Sequence, residues 1–91
     1  MGDSSVFTKD PDAVLDYVID WSAWLGVDTI STSTWTVAAG ITKVVDTKTT
    51  TTATIWLSGG TAGTSYTVAD KIVTAGGRTD ERTLTIVVEQ K

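Results

Sequence analysis

Threonine, valine and isoleucine recur along this whole 91-residue chain, and they are densest where Thr49, Thr50, Thr51 and Thr52 follow one another. β-Branched side chains lose rotamer freedom against the preceding turn of a helix and fit the pleated, half-buried surface of a strand. No helical periodicity of useful length competes with them, so an all-β fold is the first expectation. Alternation then locates the strands. In AVLDYVIDW, residues 13–21, Leu15, Tyr17, Ile19 and Trp21 share one face while Asp16 and Asp20 lie on the other.

A second strand, Thr29 to Val37, carries Trp35 and Val37 on one face, with Ile30 on the opposite parity; a bulge between Ile30 and Trp35 reconciles them. A shorter strand follows from Ile41 to Val45, then a polar connection from Asp46 to Thr51. The strand from Thr52 to Leu57 sets Ala53, Ile55 and Leu57 on one side and Trp56 on the other. Ser65 to Thr74 places Tyr66, Val68 and Ile72 together, with Asp70 a polar exception of the same parity. Residues 75–80, Ala-Gly-Gly-Arg-Thr-Asp, read as a hairpin turn into a last strand, Glu81 to Glu89, with Leu84, Ile86 and Val88 inward. Between the first two strands, Gly26 and Asp28 mark a turn, and Trp24 is expected to tuck under the sandwich edge. Six to seven short strands at this spacing predict an immunoglobulin-like or fibronectin type III-like β-sandwich. Residues 1–8 are expected to be a flexible N-terminal tail, and residues 9–91 a single domain opened by the turn Lys9-Asp10-Pro11-Asp12.

Composition narrows the function. The chain is 41% hydrophobic and 20% charged, which is globular, and it has no cysteine to form a disulfide framework. The net charge is −4, and the lysines and arginines are scattered, so there is no basic patch to neutralise phosphates and no nucleic-acid partner is expected. No stretch is long and apolar enough to span a membrane, and MGDSSVFTKD has neither a basic region nor an apolar signal core. A soluble, unprocessed chain with no membrane partner is the expectation.

SGGTAGTSY, residues 58–66, is the one stretch with the look of a ligand loop. A phosphate loop needs a lysine and a hydroxyl residue opening a helix, whereas Gly63 precedes Thr64 and Ser65 and then a strand. The better reading is a corner. In immunoglobulin-like sandwiches a tyrosine near the start of the penultimate strand bonds to backbone upstream and closes the crossing between sheets, and Tyr66 stands at that place. Histidine and cysteine are both absent, which removes the usual general base, the thiol nucleophile and the common zinc ligands. A carboxylate pair is the only acid–base chemistry left, and Asp16 and Asp20 read as a solvated strand face. Asp10, Asp12, Asp28 and Asp80 lie near turns, where calcium could draw on their oxygens, yet no calcium-loop spacing is present and turn capping explains them. No enzyme activity, cofactor or metal is expected.

Two features suit contact with another protein. GGRTDER, residues 76–82, brings Arg78 and Arg82 together with Asp80 and Glu81 at a loop tip, either as an interface or as local pairing. Trp56 has the parity to lie outside the core, whereas Trp21, Trp35 and Tyr66 read as structural. An exposed tryptophan also leaves room for the alternative of a carbohydrate- or host-surface-binding sandwich.

The segments KDPDAVLDYVIDWSAWLGVDTISTSTWTV and TIWLSGGTAGTSYTVADKIVTAGGRTDERTLTIVV resemble small structural proteins of tailed bacteriophages and prophages, of the fiber-tail adaptor or head–tail-region kind. The likeness runs from about Lys9 to Val88. It is carried by Lys9-Asp10-Pro11-Asp12, Asp20-Trp21-Ser22-x-Trp24-Leu25, Asp28-x-Ile30, Trp35, Trp56-Leu57-Ser58-Gly59-Gly60 and Gly77-Arg78-Thr79-Asp80-Glu81-Arg82. The resemblance implies an immunoglobulin-like, non-enzymatic virion module, present in the host cytoplasm during assembly. Its expected partners are other phage structural proteins of the head–tail, tail or fiber region, with homo-oligomers in the particle a further expectation.

Overall fold

The computed structural model describes residues 4–90. Within them the chain runs β1 (Ser4–Lys9), β2 (Leu15–Asp20), α1 (Ser22–Leu25), β3 (Ile30–Val37), β4 (Ile41–Lys48), β5 (Thr52–Gly59), β6 (Ser65–Thr74) and β7 (Thr79–Val88). One sheet has the order β1-β7-β6-β3 and the other the order β2-β5-β4. Two sheets of half-apolar strands bury their apolar faces against each other, which makes this an all-β sandwich. The order is immunoglobulin-like, with one change: the first strand lies beside the last, in parallel, instead of beside the second.

That first strand corrects the expectation of a tail. Ser4 to Thr8 belong to β1, which pairs with β7 from Ser4↔Thr83 to Lys9↔Val88; residues 1–3 lie outside the described residues. Lys9 ends the strand as a fully buried lysine, its Nζ donating to the carbonyls of Asp10 at 2.9 Å and Gly59 at 2.8 Å. Gly59 is the end of β5, so a buried ammonium satisfied by two carbonyls ties the edge of one sheet to the centre of the other.

The core follows the alternation. Tyr17 and Ile19 of β2, Ile55 and Leu57 of β5, Val68 and Ile72 of β6, and Leu84, Ile86 and Val88 of β7 are buried together with Trp21 and Trp35. The parity break in β3 is a register shift between Ile30 and Thr32 against β6. A second shift lies between Lys43 and Val45 in β4, which continues to Lys48 through residues expected to be a loop. Trp24 is half-buried in α1, packed edge-to-face on Trp21 with ring centroids 5.6 Å apart.

Candidate functional site

The glycine-rich corner holds itself together. The backbone N–H of Thr61 donates to the Tyr66 hydroxyl at 2.8 Å, five residues upstream of the ring, and hydrogen bonding from the Thr61 side chain, then from this amide, draws the phenol below its ordinary pKa. Gly60 sits at φ +93°, and a Cβ there would lie 2.7 Å from Val88 Cγ2, so only glycine fits the passage between β5 and β6. Gly63 N–H then donates to the Val88 carbonyl at 2.7 Å. Every one of these donors faces the protein's own chain, which is the geometry of a corner.

The β6–β7 hairpin, with Arg78 in its turn and Arg82 within β7, is also occupied from within. The Arg78 guanidinium lies 4.3 Å from the Trp24 ring centroid, its Nε donates to Asp28 Oδ2 at 3.1 Å, and its Nη2 donates to the Leu25 carbonyl at 2.8 Å. Arg82 lies 4.3 Å over Trp21, and its Nη1 donates to the Asp20 carbonyl at 3.2 Å. Asp28 completes the clamp by accepting from Thr29 N–H at 2.9 Å and Gly76 N–H at 3.0 Å. Hydrogen bonds from the Thr74 hydroxyl, then from the Thr29 amide, hold its carboxyl down at about 2, with the Gly76 amide and Arg78 adding to them. Arg78 and Arg82 thus find their partners across the fold and not in the neighbouring Asp80 or Glu81: stacking and charge-assisted bonds pin α1 to the β6–β7 hairpin, while the Arg78 side chain stays 44% exposed. Asp80 accepts from Glu81 N–H at 2.8 Å within β7, and Glu81 is exposed.

Asp70, the polar exception of β6, is fully buried. Trp21 Nε1–H donates to its Oδ2 at 3.1 Å and Ser33 Oγ–H to its Oδ1 at 2.5 Å. Burial pushes its pKa up, and these two bonds only partly oppose that. It is a buried carboxyl that joins α1's approach, β3 and β6, and the charge of Asp46 adds to the rise in its pKa. Among the described residues no group of three or more acidic side chains could hold a metal ion.

Among the described residues, the outer face of sheet β2-β5-β4 carries an exposed aromatic side chain. Trp56 of β5, 38% exposed, stands at its centre, opposite Asp16 of β2 on one side and Val45 of β4 on the other. The next row is Val18, Thr54 and Thr47. Val18 and Val45 are themselves about half exposed, so an indole and two valines form an apolar stripe rimmed by threonine and aspartate. Trp21 and Trp35 are core residues, leaving Trp56 as the exposed indole of the chain.

A model of the family described as podophage GP4 fiber-tail adaptor protein gp77 matches residues 9–87. The chain belongs to this family. Membership implies a structural adaptor role, contacts with other phage tail proteins and a place in the virion. No curated protein matches the chain. Among solved structures, the 2,6-sialyltransferase of Vibrionaceae Photobacterium sp. JT-ISH-224, in a ternary complex with CMP and lactose, is similar with a TM-score of 0.68 and 9% identity. The match covers 99% of this chain and 18% of that one, so the chain spans a small part of the sialyltransferase and shares its fold alone.

Proposed function

We propose that this gp77-family chain is a non-catalytic adaptor that joins other phage proteins through the outer face of sheet β2-β5-β4. The observation that carries the reading is the position of Trp56, half out of the protein at the centre of an apolar stripe with a polar rim. Buried aromatic anchors surrounded by near-neutral contacts dominate protein interfaces, and an indole held by a rigid sheet is such an anchor before its partner arrives. Many copies in a symmetric particle convert modest single contacts into firm attachment. On this reading the chain enters the virion from the host cytoplasm, carries no cofactor, and contacts neither nucleic acid nor membrane.

The test is mass spectrometry of purified particles made with the wild-type chain and with Trp56→Ala. Wild type is expected in the particle, and the variant is expected to be depleted by tenfold or more, on the order of 1.4 kcal/mol or more at one contact. A Trp56→Ala chain that is incorporated like wild type would falsify the use of this face. Sugar recognition has less support, because one exposed indole gives no platform of paired aromatic faces.

A further inference from the structure

Because β1 lies beside β7, the place that a first strand fills next to β2 in many immunoglobulin-like sheets is vacant, and β2 is an edge strand. Edge strands present unpaired N–H and C=O groups, and proteins usually blunt them with bulges, lysines or prolines. The edges differ in this respect. β4 carries a register shift and the lysines Lys43 and Lys48, and β3 carries a register shift at Ile30 to Thr32. β2 has no lysine, proline or bulge: it pairs with β5 in unbroken register from Leu15↔Leu57 to Asp20↔Thr52, and its charged side chains are the outward-facing Asp16 and Asp20. β1 is also regular, but its exposed described side chains, Val6 and Thr8, carry no charge that would select a partner.

We infer that the open edge of β2 receives an extended segment of a partner protein as an added antiparallel strand, with basic residues on the outer face and apolar residues on the inner one. The pattern of β2 sets this chemistry. Asp16, Val18 and Asp20 face outward, and Tyr17 and Ile19 face the core. Residues opposite each other across a ladder share a face, so a segment alternating Lys or Arg with Val or Ile meets acid with base outside and apolar with apolar inside. Charge also argues against a second copy of this chain. Antiparallel self-pairing centred on Val18 sets Asp16 opposite Asp20, and centring on Tyr17 or Ile19 leaves an aspartate diagonal to its own counterpart.

This inference rests on the adaptor reading and names the chemistry of its partner. The probe is a synthetic peptide of alternating lysine and valine, with a glutamate–valine peptide of equal length as control, added to the full chain and followed by amide hydrogen exchange and NMR titration. The expected result is new exchange protection confined to residues 15–20 with the lysine peptide, and weaker binding of the glutamate peptide. Asp16→Lys, which leaves Asp20 in place and the face without net charge, is expected to abolish the preference, each peptide's Kd moving roughly five- to tenfold toward the other's, and Asp16→Asn to narrow the discrimination without abolishing it. Equal binding of both peptides, protection on another strand, or a homodimer sealed through β2 overturns the inference. Incorporation of the same variants into particles separates the two readings. A chain that enters the virion but gains no protection on β2 refutes strand addition and leaves the adaptor role standing; a chain absent from the virion refutes the adaptor role, whatever the peptides do.

Discussion

Two aspartates pull the pH dependence of stability in opposite directions. Asp28, bonded by the Thr74 hydroxyl and the Thr29 amide, is held near 2, below its ordinary 3.8. A depressed carboxyl contributes stability above 3.8, and that contribution is lost as pH falls toward about 2. Asp70 is the reverse case, since burial raises its pKa above 3.8. The fold then holds a proton more tightly than the unfolded chain, so its contribution is complete below 3.8 and is lost as pH rises through the raised value. Asp70→Asn keeps an oxygen to accept from Trp21 Nε1–H and supplies an amide that can donate to Ser33 Oγ, but it has no charge to desolvate. Urea unfolding between about pH 4 and pH 7 is therefore expected to show wild-type stability declining relative to the variant as pH rises. Asp70→Ala should instead lose about 1–3 kcal/mol near pH 4, because it strands the Trp21 and Ser33 donors, and the loss should narrow as pH rises, because the variant also lacks the carboxyl that wild type must ionise in the core. A stability profile of Asp70→Asn that runs parallel to wild type would show that Asp70 does not titrate in this range.

At the scale of elements, the strand least visible in the sequence has the largest consequence when removed. A chain lacking residues 1–8 loses β1 up to Lys9, uncovers the β7 edge, and gives up the ring contact of Phe7 with Tyr17, whose centroids are 5.1 Å apart. It is expected to unfold at lower urea and to self-associate through β7, as sedimentation would show; a monomer of unchanged stability would make β1 dispensable. The strands that alternation marked plainly were legible because period-2 burial is a local pattern: Tyr17 and Ile19 in β2, Ile55 and Leu57 in β5, and the parity break that became the shift at Ile30. β1 was not, because Ser4–Lys9 is short and polar at its start and its partner β7 lies almost the whole chain away. α1 spans four residues, too few to show a helical period. The partners of Arg78 and Arg82 were hidden for a related reason: their indoles, Trp24 and Trp21, are separated from them by most of the domain, and nothing local announces the stacking. The candidate face fared better, since the parity of Trp56 was readable from its neighbours in the strand, whereas its rim of Val18, Asp16 and Val45 depends on strand pairing.

The whole molecule separates what holds it together from what it offers, and its tryptophans make that division measurable. Trp21 is completely buried, donates to Asp70, and carries the Arg82 stack on its ring. Truncating it removes core volume and leaves a buried carboxyl and a guanidinium without their partner, so Trp21→Ala is expected to cost about 3–5 kcal/mol. That is a large part of the roughly 5–15 kcal/mol that a domain commands, and the variant should vanish from particles because little of it is folded. Trp56 lies outside that network. Its indole packs only along the outer face between Asp16 and Val45, so Trp56→Ala should change unfolding free energy by about 1 kcal/mol or less. The two variants are thus expected to share one phenotype, depletion from the virion, by different routes. Urea unfolding of the purified chains tells them apart: only Trp21→Ala should shift the midpoint strongly. If Trp56→Ala proved as destabilising as Trp21→Ala, its depletion would report folding, and the outer face would lose its standing as the contact surface.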